Sequence, residues 1–374
     1  MISFCPTSDF RVEARRSPLR CPLTSEPLEY ADLPKFQREC IDPTAPGLWR
    51  YSEMLPIVGE GHQRITLGEG WTPLLQDMWG NLPVYWKHDA LMPSGSYKDR
   101  GVSVMINWLS GQGAVSVVED SSGNAGASVA CYAARAGLKA CIFVPESTFE
   151  VKKAQIAYYG AELVEVPGSR SDSTDAAVAA TRLNKETKYA SHALQPSYIL
   201  GLMTCAWEIW EQLNYQVPDW FVVSTGQGGL LLGVWRGFQH LHRCGLIDKL
   251  PKMVAVQAEP YTPIHEAFVG GLQKASMPIP HFEPISADGI AISHPLRSAA
   301  VLSALRQSKG STIVVSEKEV LEARIALAQQ GFYVEPTSAA AGAALTKLRP
   351  KIADGERVVA FLGAMGIKRP PEVY

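Results

Sequence analysis

The chain lacks a membrane-length apolar run, an excess of either charge and any closely paired cysteines, and each absence removes a class of function. Of its 374 residues 46% are hydrophobic and 19% charged. No apolar run approaches the roughly 20 residues that a membrane span needs. The net charge is −2, so bulk electrostatics gives no drive toward nucleic acid or an anionic membrane. Residues 1–16 lack the basic-then-apolar order of a signal peptide. The seven cysteines, Cys5, Cys21, Cys40, Cys131, Cys141, Cys205 and Cys244, are odd in number and widely spaced. They read as reduced thiols in a cytoplasmic protein, not as a disulfide framework. No Cys-x-x-Cys or His-Glu-x-x-His occurs, and His240 and His242 stand two apart in a helical stretch, on different faces. No metal site is expected.

What the chain does have is length and alternation. It is long enough for two domains and a large core. From about residue 114, short β-branched runs alternate with helical stretches. Strands are predicted at Ala114–Glu119, Ala140–Val144, Glu162–Val166, Trp220–Ser224, Met253–Gln257, Thr312–Val315 and Val358–Leu362. Helices are predicted at Asn124–Arg135, stopped near Gly137, and at Val151–Tyr159. The pattern predicts an α/β fold with parallel-rich twisted sheets and helices on both faces. Residues 1–62 show little periodicity and read as an irregular extension.

Three segments carry chemistry. The first is Ser94-Gly-Ser-Tyr-Lys98-Asp-Arg-Gly101, ahead of a helix over Val102–Leu109. A lysine partly desolvated among polar groups titrates closer to neutrality and becomes a nucleophile toward aldehydes. Lys98 reads equally as a solvated charge at a helix start. The second is Glu119-Asp-Ser-Ser-Gly-Asn-Ala-Gly126, between a strand and a helix. Its hydroxyls and free N–H groups suit a carboxylate, although Ser and Asn are also ordinary helix caps. The third is Ser224-Thr-Gly-Gln-Gly-Gly-Leu230, after a strand and opening the helix Leu230–Leu241. It has neither the GxxxxGK[ST] nor the GxGxxG spacing, so a single phosphate monoester matches it better than a nucleotide. An aldehyde, a phosphate and a bound carboxylate together describe pyridoxal 5′-phosphate carrying an amino acid.

The lysine segment resembles that of fold-type II pyridoxal-phosphate enzymes, and within these the threonine synthase family. Gly47-Leu-Trp-Arg-Tyr51, Leu67-Gly-Glu-Gly-Trp-Thr-Pro-Leu74, Ser121-Ser-Gly-Asn-Ala125 and Glu335-Pro-Thr-Ser-Ala339 are similar to that family's motifs, in order, from about residue 47 to 368. The resemblance implies a two-domain fold-type II enzyme. Residues 63–113 and 206–374 would form a large cofactor domain, and 114–205 a small mobile one. It implies Lys98 as Schiff-base lysine and mobile base, and Asn124 against the pyridine 3′-oxygen. Thr225, Gly226, Gln227, Gly228 and Gly229 would hold the phosphate. Ser121, Ser122, Gly123 and Ala125 would hold the substrate carboxylate. A homodimer with an amino-acid substrate is implied as well.

Two departures stand against the resemblance. Cys21-Pro-Leu-Thr24 keeps one cysteine where the family commonly has a pair, which argues against a zinc ribbon. Gly363, in Leu362-Gly-Ala-Met-Gly-Ile-Lys368, stands where the family typically has a threonine facing the pyridine nitrogen. Two further segments stay open. Ala287-Asp-Gly-Ile-Ala291 resembles a stretch of threonine dehydratases and serine racemases, or is a tight turn before a strand. Glu335 sits near the cofactor or caps a helix over Ser338–Leu348. The expected function is γ-elimination and β-addition on O-phosphohomoserine. The alternative is β-elimination or β-replacement on serine- or threonine-like substrates, and a non-catalytic pyridoxal-phosphate-binding protein is a third reading.

Overall fold

The computed structural model describes residues 1–55, 64–121, 123–146, 148, 150–168, 170–276 and 284–370. In chain order it begins with β1 (Ile2–Phe4), β2 (Arg11–Glu13), β3 (Glu29–Ala31), β4 (Leu74–Trp79), β5 (Leu82–His88) and α1 (Lys98–Gly111). There follow β6 (Ser116–Glu119), α2 (Asn124–Ala136), β7 (Lys139–Pro145), α3 (Glu150–Tyr158), β8 (Glu162–Val166), α4 (Arg170–Leu183), β9 (Thr187–Tyr189) and α5 (Pro196–Gln212). Then come β10 (Trp220–Ser224), α6 (Gly229–Arg243), β11 (Lys252–Ala258), α7 (Pro263–Val269) and α8 (Ser298–Gln307). The chain closes with β12 (Ser311–Val315), α9 (Glu317–Gln329), α10 (Pro336–Leu348) and β13 (Val358–Leu362).

The chain divides into two compact units, residues 1–70 with 92–201, and residues 71–91 with 202–374. The first holds a parallel sheet in the order β8-β7-β6-β9. Its strands follow from buried β-branched runs such as Val117-Val118, and its crossovers from helices between them. Gly137, at φ +69, ends α2 in the left-handed conformation that a helix stop commonly takes. Residues 1–31, expected to be irregular, instead form a small antiparallel sheet in the order β2-β1-β3. Each of its strands is three residues long, too short for a period of two to show.

The second unit holds a six-stranded sheet in the order β12-β11-β10-β13-β5-β4. All pairs are parallel except the β4–β5 hairpin. Its core runs along Val222, Val254, Val256, Val358 and Ala360 on the strands, and against Ala339–Ala341, Ala344 and Leu345 of α10. The alanines let that helix lie close on the sheet. A capping box starts α9, in which the Ser316 hydroxyl accepts from the Glu319 N–H and the Glu319 carboxylate accepts from the Ser316 N–H.

Candidate active site

Open parallel sheets bind ligands beyond the carboxyl ends of their strands. In the first unit that edge carries the turn between β6 and α2 and lies beside the start of α1. Lys98 is the first residue of α1, which begins one turn earlier than the sequence suggests. Its half-buried side chain puts Nζ 2.6 Å from the Tyr97 hydroxyl and 4.4 Å from the centre of that ring.

The residue that shapes the lysine loop is Asp99. Buried at the first turn of α1, its carboxylate accepts from the Ser94 N–H at 2.7 Å, the Ser94 hydroxyl at 2.6 Å and the Ser128 hydroxyl at 2.5 Å. The first two bonds fold the Ser94–Tyr97 loop over the helix start. The third ties α1 to α2. Ser128 lies one turn beyond Asn124 on α2, so a single carboxylate couples the lysine helix to the helix that carries Asn124. Close packing continues at Gly101, where a Cβ would stand 2.3 Å from the Tyr198 ring.

Asn124 opens α2, with Gly123 at its N-cap. Ser121 is buried, and a Cβ at Gly126 would meet its carbonyl oxygen at 1.9 Å. Gly126 is therefore the residue that lets this turn fold back on the helix. Ser122 lies outside the described residues. Upstream, two of the motifs meet at Glu69, which is fully buried. Its carboxylate accepts from the Trp49 indole at 2.6 Å, the Leu67 N–H at 2.8 Å and the Tyr132 hydroxyl at 2.9 Å.

In the second unit the turn after β10 has the features of an oxyanion cradle. Thr225 N–H bonds Val256 O at 2.7 Å, and its hydroxyl donates to Val223 O at 2.9 Å. Gln227 accepts from the Leu296 N–H at 2.9 Å. Gly228 sits at φ +83 and caps α6. A Cβ there would stand 2.4 Å from Val301, and one at Gly226 would stand 3.0 Å from Gly289 O. Gly228 must be glycine on both counts, and Gly226 is tightly packed. The first i to i−4 bond of α6 runs from Leu232 N–H to Gly228 O, so the N–H groups of Gly229, Leu230 and Leu231 have no acceptor within the helix. Donors and helix dipole together favour a phosphate.

Two segments left open by the sequence fall beside this cradle. Asp288–Ile290 is a short 3-10 turn, not a turn leading into a strand; Gly289 N–H bonds the Thr337 hydroxyl at 3.1 Å, and Asp288 pairs with Arg369 at 3.0 Å. Glu335 occupies the N-cap position of α10 without a side-chain capping bond, and its N–H bonds Ala364 O at 3.1 Å. The turn after β13 is closed by Ser338, whose buried hydroxyl accepts from the N–H groups of Gly363 at 3.0 Å and Ala364 at 2.9 Å. Sequence reasoning missed Asp99 and Ser338. Both lie inside quoted motifs, but their partners are distant in the chain.

A family profile described as pyridoxal-phosphate dependent enzyme matches residues 65–363. The chain belongs to this family. Its cofactor is pyridoxal 5′-phosphate, and the glycine turn, with the N–H groups at the start of α6 lacking acceptors within the helix, suits a phosphate group. The chain is 37% identical to the threonine synthase of Methanocaldococcus jannaschii, over 87% of this chain and 81% of that protein. It is 34% identical to that of Methanosarcina acetivorans, over 85% and 77% respectively. Among solved structures it resembles an aspartate racemase that uses the same cofactor, with TM-score 0.69, 24% identity and coverage of 81% of this chain and 93% of that one. It also resembles a threonine deaminase from T.th., with TM-score 0.67, 25% identity and coverage of 79% and 92%. This pyridoxal-phosphate enzyme therefore shares its fold with that racemase and that deaminase, and about a third of its sequence with those threonine synthases. No helix among the described residues is long and apolar enough to cross a membrane.

Proposed function

We propose that the chain is a lyase of the threonine synthase type, which eliminates phosphate from O-phosphohomoserine and adds water at Cβ to give threonine. Identity to threonine synthases over most of both chains carries this reading. When bound, the cofactor supplies an electrophilic aldehyde and an electron-accepting ring. Lys98 takes the proton from the substrate α-carbon at Nζ and moves it on, with the Tyr97 hydroxyl bonded to that nitrogen. Asn124 orients the ring through its 3′-oxygen. The N–H groups of Gly226, Gln227, Gly228 and Gly229, with Thr225, bind the cofactor phosphate. Ser121, Ser122, Gly123 and Ala125 bind the substrate carboxylate. That clamp fixes the Cα–H bond for proton removal.

Gly363, at the place of the family's threonine, would offer no side chain to the ring nitrogen, so another group would have to meet that atom. We further propose that residues 114–205 close over the substrate to exclude water, and that the enzyme works as a homodimer in the cytoplasm. Purified protein with added cofactor should show a visible absorbance band that Lys98→Ala abolishes. With O-phosphohomoserine it should release phosphate and threonine in equal amounts. A colourless protein overturns the cofactor assignment. Ammonia and a 2-oxo acid formed from serine or threonine, with no phosphate released, overturns the substrate and favours the dehydratase reading.

A further inference from the structure

The N-terminal sheet carries two turns of the same construction that the reaction does not use. Each begins with a buried cysteine and has a hydroxyl residue three positions later, Cys5-Pro-Thr-Ser8 and Cys21-Pro-Leu-Thr24. Each cysteine N–H bonds the carbonyl five residues on, Cys5 to Phe10 at 3.0 Å and Cys21 to Glu26 at 2.8 Å. The side chains then cross. Cys5 Sγ lies 3.3 Å from the Thr24 hydroxyl, and Cys21 Sγ lies 3.4 Å from the Ser8 hydroxyl. Thr24, bonded to Cys5, and Ser8, bonded to Cys21, thus place each cysteine against the other's turn. Cys5, Cys21 and Leu28 form a small core of their own, with Phe10 packed on it.

We propose that Cys5 and Cys21 are a redox-modification site, a thiol pair that hydroperoxides convert to an intramolecular disulfide bridging the two turns. Burial alone would raise the Cys21 thiol, but bonds from Ser8, Thr24, the Leu23 N–H and Cys5 outweigh it and bring it down to about 6. Cys21 is thus largely thiolate at neutral pH, the nucleophilic form. Its sulfur attacks one peroxide oxygen, so that an S–O bond forms, the O–O bond breaks and an alcohol or water leaves. The Cys5 sulfur then attacks the resulting sulfenic sulfur. An S–S bond forms, the S–O bond breaks, and the hydroxide departs as water with the Cys5 proton. The pair loses two electrons to the peroxide. Cys40 and Cys141 have a different setting. A hydrogen bond to Glu53 raises Cys40, and burial raises Cys141 to about 11.

The test is limiting hydrogen peroxide at pH 7 on the full-length holoenzyme, followed by peptide mass mapping. The proposal expects a Cys5–Cys21 disulfide to form at least roughly tenfold faster than any oxidation of Cys141, the larger thiolate advantage of Cys21 being partly offset by the weaker nucleophilicity of a low-pKa sulfur. Cys5→Ser keeps a hydroxyl in the cluster and should stop Cys21 at the sulfenic stage, where dimedone traps it. Ser8→Ala removes no thiol and should slow the oxidation. Cys5 and Cys21 remaining reduced while Cys40 or Cys141 oxidises, or an unchanged rate in Ser8→Ala, would overturn the proposal.

Discussion

At the scale of single residues, Asp99 shapes the loop that leads into Lys98. That carboxylate takes three hydrogen bonds in a buried setting. Asp99→Ala should strand three donors and lower stability by about 3 kcal/mol or more. Urea unfolding measures this, and a loss under about 1 kcal/mol would contradict the assigned bonds. The segments that carry Lys98 and Asn124 stand out in the sequence because the neighbours of each share its chemistry. Asp99 and Ser338 do not, because the bond that ties Asp99 to α2 spans 29 residues and the bond from Gly363 to Ser338 spans 25. Cys21 adds a pH dependence. Its folded value, about 6, lies below its ordinary 9.0, so its contribution to stability is complete above pH 9 and lost as the pH falls through 6. Thermal melts of the wild type and Cys21→Ser across that range should converge toward the acid end.

At the scale of elements, the glycine turn before α6 is decided by backbone geometry. Gly228→Ala forces a Cβ into a left-handed residue, which costs about 1–2 kcal/mol, and drives it against Val301 at 2.4 Å. Cofactor affinity, read by fluorescence titration, should fall at least roughly tenfold, the equivalent of that backbone cost. Unchanged affinity would remove this turn from the phosphate site. Ser316→Ala opens the capping box of α9 and should cost about 1 kcal/mol in a thermal melt without changing cofactor binding. The strands Glu162–Val166, Trp220–Ser224 and Val358–Leu362 match the sequence reading residue for residue. The last two are nearly continuous apolar runs, and the first carries three apolar residues in five. The β4–β5 hairpin was not legible. Leu75 and Met78 of β4 are exposed, so its apolar residues do not mark one buried face.

At the scale of the whole molecule, the α/β class and the cofactor were readable from alternation and from three loops. The division into units was not, because residues 71–91 group with 202–374, and no local pattern announces that return. The reaction itself is the central claim, and the fate of solvent oxygen tests it most directly. O-phosphohomoserine is converted in water enriched in oxygen-18, and both products are weighed by mass spectrometry. Elimination breaks the carbon–oxygen bond, so phosphate should leave without label, while water added at Cβ should place one labelled oxygen in the threonine hydroxyl. Labelled phosphate with homoserine as the partner product, or no conversion at all, would contradict the account.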